Sequence, residues 1–229
     1  MKTIKTRAII LTRTDYQEAD RIINILTDDQ GKLALMARGV RKPKSKLASG
    51  IELFCVSSIS YIKGRGDIGT LISAKPELNY DKIINDISRV QRGYNLIKIL
   101  NLNTDQHVED QYFEILQSAL QALNDYSIDD QFTEAWFAAQ ILKIGGHTPN
   151  LISEESGAKL EASKKYKFNP DSMCFSQAEN GNFDAAAIKC LRLMFGNNKP
   201  AVIYQIEGFT DKLPLINGAL KQMREYHLS

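Results

Sequence analysis

Little in this sequence points to covalent or metal chemistry. Its three cysteines, Cys55, Cys174 and Cys190, are odd in number, far apart and without a C-x-x-C pair. That spacing offers neither a disulfide framework nor a complete metal site, and it fits reduced thiols in a cytosolic protein. The three histidines, His107, His147 and His227, are scattered, and no serine or cysteine has a recognisable base close to it in sequence. No catalytic constellation emerges, so the expectation is a protein that is not an enzyme and needs no cofactor. Asp15, Glu18 and Asp20 gather three carboxylates that a divalent ion could use, but acids in a turn are ordinarily solvated. Long apolar runs are also missing: the first reaches only Ala8–Leu11 before polar residues return, too short for a signal peptide or a membrane span. A cytoplasmic protein without membrane contact is expected. There is no internal repeat and no low-complexity tract.

What remains is an ordinary globular composition, with 43% apolar and 24% charged residues in 229, enough to bury a substantial core. The net charge of +2 conceals an asymmetry. Residues 1–75 carry 14 Lys or Arg against 7 Asp or Glu, a net of +7, which leaves −5 for residues 76–229. A basic front third and an acidic remainder point to a polyanion-binding module joined to a domain with another task. The basic charge concentrates in Arg38-Gly39-Val40-Arg41-Lys42-Pro43-Lys44-Ser45-Lys46, five cations in nine residues with no acid among them. Unpaired charges lose too much hydration in an apolar interior, so this stretch belongs at the surface, and Gly39 and Pro43 mark it as a loop.

The segments around it read as strands. Residues 6–14 and 21–27 are β-branched and apolar, Asp28-Asp29-Gln30-Gly31 is a turn, and Leu33, Leu35 and Ala37 alternate with Lys32, Ala34, Met36 and Arg38, the period of a half-exposed strand. Ile51, Leu53, Cys55, Ile59 and Tyr61 fall on odd positions, and a fifth run covers Ile68 to Ala74. Five short strands without an intervening long helix suit a small OB-type β-barrel. Such barrels track single-stranded nucleic acid along a groove, with cations on the backbone and rings under the bases. On that reading Arg38, Arg41, Lys42, Lys44 and Lys46 contact phosphates, with Arg38 at a strand end and the other four the stronger candidates. Arg13, Lys63 and Arg65 extend the track if they share its side. Tyr61 and Phe54 are the nearest stacking rings, although strand aromatics are more often core. Gly64, Gly66 and Gly69 spell G-x-G-x-x-G, but the strand-like Thr70–Ala74 follows where a dinucleotide site needs a helix N-terminus, so the stretch reads as a hairpin turn.

From Pro76 the period becomes helical. Ile83, Ile84, Ile87, Val90, Tyr94 and Ile97 form one apolar face, and Tyr112, Phe113, Leu116, Ala119, Leu120 and Leu123 another. A third helix is expected to begin near Ser127 as N-cap and to end at Gly145-Gly146. Residues 147–182 read as irregular. Helical spacing resumes at Ile188, and a last helix covers Leu213 to Tyr226. The predicted architecture is α+β: a five-stranded OB-type barrel over residues 1–76, then a mainly helical domain over 77–229 with an irregular insertion at about 147–182.

In order and spacing, several of these stretches resemble one family. Ala8–Leu11 leads into Asp15-Tyr16-x-Glu18-Ala19-Asp20-Arg21-Ile22, followed by Gly31-Lys32-Leu33, the basic stretch through Leu47, and Gly64-Arg65-Gly66. Leu142-Lys143-x-x-Gly146 with Pro149-Asn150-Leu151 carries the match into the second half. The set resembles the bacterial DNA repair protein RecO family. That resemblance implies an N-terminal OB-fold, a helical C-terminal domain and a recombination mediator without catalytic chemistry. It also implies that the protein binds single- and double-stranded DNA and anneals complementary strands at the nucleoid. The implied partners are RecR, the acidic C-terminal tail of single-stranded DNA-binding protein and, indirectly, RecA, which it helps to load.

Many members of the family carry two cysteine pairs after the Pro-x-Leu segment, a spacing that resembles a structural zinc site. Here Ser153-Glu154-Glu155-Ser156-Gly157 replaces the first pair and only Cys174 lies near the second. The segment is thus expected to be a degenerate zinc-finger-like element without zinc, packed around Tyr166 and Phe168 with help from opposite charges. The alternative to a DNA-binding mediator is a protein-interaction scaffold that binds acidic peptide tails through its helical domain and touches DNA only incidentally.

Overall fold

The computed structural model describes residues 2–64, 66–104 and 111–227; Arg65 and His107 lie outside them. The chain opens with strands β1 (Thr3–Tyr16), β2 (Asp20–Thr27) and β3 (Lys32–Ala37), passes a 3-10 turn at Ala48–Ile51, and continues with β4 (Val56–Ile62) and β5 (Ile68–Leu78). These close into a barrel of order β1-β2-β3-β5-β4. All neighbouring pairs are antiparallel except β3 with β5. This is the OB-type topology, and closure gives every one of the five strands a partner on both sides.

Period two decides which side chains fill the barrel. Ala8, Ile10, Ile23, Ile25, Leu35, Ala37, Ile59, Tyr61 and Leu71 form one buried cluster inside it. The odd-position pattern from Ile51 to Tyr61 is strand only from Val56 onward. Before that, the chain turns at Gly50, where a Cβ would sit 2.5 Å from the Ala74 backbone, and at Phe54, whose φ is 64°. β5 passes through Pro76, which pairs with Ser57 beside a register shift.

The first helical run is two helices, α1 (Asp81–Ile84) and α2 (Ile87–Leu102), because Asn85 closes α1 and the Asp86 carboxylate accepts the Arg89 N–H at 3.2 Å. α3 (Gln111–Leu123) follows. α4 (Asp130–Ile144) starts two residues later than Ser127 would place it. Its N-cap is Asp129, which accepts the Phe132 N–H, while Ser127 bonds to Asp125. The rest comprises a hairpin of β6 (Tyr166–Asn169) and β7 (Cys174–Gln177), then α5 (Ala185–Met194), α6 (Pro200–Tyr204) and α7 (Phe209–His227).

Two compact units result. One contains the barrel and the described residues up to Ile97, with Thr104, α3 and Asn124; the other contains Lys98–Asn103 and the described residues from Asp125 onward. In the first, the Phe54 ring meets Tyr94 of α2 edge-on at 5.6 Å and the Arg7 guanidinium lies 5.4 Å over the Phe113 ring of α3. In the second, most of α4 is buried. Trp136 donates to the Asn198 carbonyl, Gln140 to those of Met194 and Gly196, and Phe132 packs edge-on against Phe209. Among the described residues no helix is long and apolar enough to cross a membrane.

Candidate nucleic-acid interface

The basic stretch is the connection from β3 toward β4, and its backbone is fixed at both ends. Val40 is buried in the barrel core and Leu47 packs against it, so the loop is tied down by its two apolar residues. Gly39 turns the chain with φ of 62°, a conformation glycine adopts without a Cβ penalty. Successive turns follow, with the Lys42 N–H donating to the Gly39 carbonyl and the Ser45 N–H to the Lys42 carbonyl. Pro43 prevents either strand or helix from continuing. The result is a short, turned platform on which Arg38, Arg41, Lys42, Lys44 and Lys46 are all exposed.

The platform is latched to the β1–β2 turn. Asp20 accepts the Gly39 N–H at 2.7 Å, and Ala19 accepts the Arg41 N–H at 3.0 Å. The Arg41 guanidinium reaches the Gln17 carbonyl at 3.4 Å and the Asp15 carboxylate at 3.6 Å, and Arg21 holds the same carboxylate at 2.7 Å. The hydrogen bond from Arg21, with the charges of Arg41, Arg21 and Arg13, holds the Asp15 carboxyl below the usual carboxylate range. Asp15 and Asp20 therefore serve the loop rather than a cation. Among the described residues no group of three His, Cys, Asp or Glu is placed to hold a metal.

The predicted cations fall into three groups. Arg38, Lys42, Lys44 and Lys46 project from the loop without a side-chain ion pair among the described residues. Arg41 and Arg13 are paired, the latter to Glu52 at 2.7 Å. Lys63 is exposed but at the other end of the barrel. Parallel pairing of Ala34 with Ile68 puts the β4–β5 connection beside the start of β3, whereas the basic loop leaves the end of β3. At about 3.3 Å per residue, the three steps from Ala34 to Ala37 put roughly 10 Å of strand between the two regions. The Gly64, Gly66 and Gly69 stretch leads into β5, so no helix N-terminus is present there to receive a pyrophosphate.

Neither predicted stacking ring is available, since Phe54 and Tyr61 are 0% and 1% exposed. The ring that sequence reasoning missed is Tyr16, 43% exposed at the end of β1, opposite Asp20 and beside the loop's latch. Its place in the Asp15–Ile22 motif is the signal that points to it. As a whole, the loop can neutralise several phosphates at once and leave base edges free.

In the second unit, the Ser153–Gly157 segment does not fit zinc. Ser153 accepts a hydrogen bond from Asn150, Ser176 donates to Glu155, and Cys174 is the one thiol there. Neutral hydroxyls are poor substitutes for thiolates. Aromatic packing holds the neighbouring hairpin: Tyr166 and Phe175 are fully buried, and Phe175 meets Phe168 at 5.2 Å and Phe183 at 5.3 Å. The Glu161–Lys164 pair closes at 2.7 Å. A groove of about 420 Å³ opens beside this cluster, lined by Lys167, Phe168, Phe183, Pro214, Leu215 and Gln222 among others. His147 and His227 stack at 4.8 Å, and His227 contacts the Pro170 carbonyl.

A closed OB-type barrel that carries an exposed multi-cation loop is an arrangement suited to a polyanion. Comparison with known proteins narrows this further. Residues 1–80 match the family model described as Recombination protein O N terminal. The chain is 29% identical over 206 residues to the DNA repair protein RecO of Dehalococcoides mccartyi, an alignment covering 86% of this chain and 80% of that one. It is 30% identical over 148 residues to RecO of Moorella thermoacetica and 28% identical over 148 residues to RecO of Halalkalibacterium halodurans. Those alignments cover 64% of this chain and span 54% and 58% of the two relatives. The chain is thus similar over most of its length to a bacterial DNA repair protein RecO, and its front third matches the N-terminal model of that family.

Proposed function

We propose that this is a non-catalytic DNA-binding protein of recombinational repair, acting in the cytoplasm at the nucleoid, with its primary DNA site on the loop from Arg38 to Lys46. The observation that carries the reading is a set of four exposed cations, Arg38, Lys42, Lys44 and Lys46, without an ion pair among the described residues, on a platform anchored by Val40, Leu47 and Asp20. Binding by such a loop is driven by release of counterions from the nucleic acid and is tolerant of sequence. Bringing two complementary strands together requires their mutual repulsion to be screened, which supports strand annealing. The proposal assigns DNA binding to residues 1–76 and partner contacts, RecR-like proteins included, to residues 77–229, with RecA loading following from both.

The groove between β6 and α7 supports the second part. It sets Lys167 beside Phe168, Phe183 and Leu215, the cation and apolar wall that an acidic peptide such as the tail of single-stranded DNA-binding protein requires. On the scaffold reading this groove would be the main site and DNA contact incidental.

Fluorescence anisotropy with a labelled oligo-dT decides between them. Replacing Lys42, Lys44 and Lys46 together by alanine is expected to weaken binding about tenfold or more at moderate salt. It should also flatten the slope of log K against log salt by about 2, at roughly 0.7 for each single-strand phosphate that is no longer neutralised. Unchanged affinity and slope would leave the scaffold reading standing.

A further inference from the structure

The loop's fifth cation behaves differently from the other four. The Arg41 guanidinium points back at the rim of the barrel and sits 3.6 Å from Asp15, within ion-pair reach but too far for a hydrogen bond. Its other contact, to the Gln17 carbonyl, is 3.4 Å. Both are loose. Asp15, by contrast, is gripped by Arg21 at 2.7 Å and keeps that partner whatever Arg41 does. The Arg41 backbone is also held independently, by its N–H to the Ala19 carbonyl at 3.0 Å. The side chain can therefore leave without moving the platform or stranding an unpaired carboxylate. All three charged groups are partly exposed, with side-chain exposures of 39% for Arg41, 53% for Asp15 and 30% for Arg21. An exposed pair of this kind is weak and exchangeable.

We propose that Asp15 is a specificity-determining residue of the DNA site: an internal stand-in for phosphate that occupies Arg41 in the free protein and yields it to a bound strand. This rests on the reading of the loop as the DNA site and adds an exchange step to it. Arg41 neighbours Lys42 in sequence, so a strand engaged by the lysines presents its next phosphate to Arg41 at high effective concentration. A free anion in dilute solution has no such advantage over a carboxylate fixed in place. Asp15 thus makes Arg41 respond to a polymer already held by its neighbours. Arg13, paired to Glu52 on the next stretch of rim, stands outside this exchange because its contact is a close 2.7 Å hydrogen bond.

A double-substitution cycle reads the exchange directly. Oligo-dT affinity is measured for the full chain, for Asp15→Asn, for Arg41→Ala and for the pair, with urea midpoints recorded for each. Asp15→Asn is expected to tighten binding about two- to fivefold, the range an exposed ion pair is worth, and to give no such gain when Arg41 is already alanine. Arg41→Ala alone should weaken binding. An equal gain from Asp15→Asn in both backgrounds would show that Asp15 acts only as a distant negative charge, and weaker binding by Asp15→Asn with an unchanged midpoint would make it a mere support; either result overturns the exchange. Failure of the underlying DNA reading shows separately, as an unchanged affinity when Lys42, Lys44 and Lys46 become alanine.

Discussion

At the scale of single residues, Phe54 shows how far a side chain's role depends on neighbours distant in sequence. As an aromatic near the basic stretch it is a candidate for stacking on bases. The structure buries it completely, at a φ of 64°, with its N–H still donating to the Ile10 carbonyl at 3.0 Å. Its ring fills the space left by Gly93 of α2, where a Cβ would lie 2.7, 2.9 and 3.2 Å from ring atoms. Two effects compete in Gly93→Ala. Relieving a helical glycine would stabilise the fold by up to about 1 kcal/mol, whereas forcing a methyl into a rigid, buried ring costs about 1–3 kcal/mol. The clash wins, because the ring has no solvent to move into. Gly93→Ala is expected to lower the urea midpoint, and a raised midpoint would show that the ring yields. The pairing of positions 54 and 93 is not legible in the sequence, since nothing local to either residue signals the other. The cations are legible, because a charge that cannot be buried declares its own surface position.

At the scale of elements, the short hairpin of β6 and β7 replaces what the family resemblance would build around a metal. Residues 147–182 read as irregular in the sequence because strands of four residues offer too few alternations to stand out, although Lys165-Tyr166-Lys167-Phe168 does alternate. The expectation that Tyr166 and Phe168 organise this segment is half of the arrangement; Phe175 and Phe183 complete it. Gly181 lets the chain close over it, since a Cβ there would meet the Tyr166 backbone at 2.6 Å. The cluster therefore holds the segment together chiefly by burial of its rings. Phe175→Ala is expected to cost about 3–5 kcal/mol of unfolding free energy, measured by urea titration. A chelator should leave the thermal midpoint of the unmodified chain unchanged, and a chelator-dependent drop would restore a metal to the segment.

At the scale of the whole molecule, the barrel is the most legible feature. Its alternating strands and turn residues are local signals, whereas the order β1-β2-β3-β5-β4 with its parallel β3–β5 pair is not, because a simple meander of five strands would also close without a free edge. The charge split of +7 and −5 points to two tasks, but it does not say where an acidic half would hold an acidic peptide. On the proposed reading the groove supplies one local cation, Lys167, against an apolar wall, since binding follows the charge at the site rather than the domain's net charge. Two sites on two compact units predict separable losses. Titrating an acidic peptide against the full chain, Lys167→Glu is expected to weaken the peptide by about 1 kcal/mol or more, roughly fivefold, through loss of one pair and gain of one repulsion. The same change should leave oligo-dT affinity within about twofold, and the Lys42, Lys44 and Lys46 triple alanine chain should show the reverse pattern. If either change reduces both bindings alike, the two ligands share one surface, and the assignment of separate tasks to the basic and acidic parts of the chain is wrong.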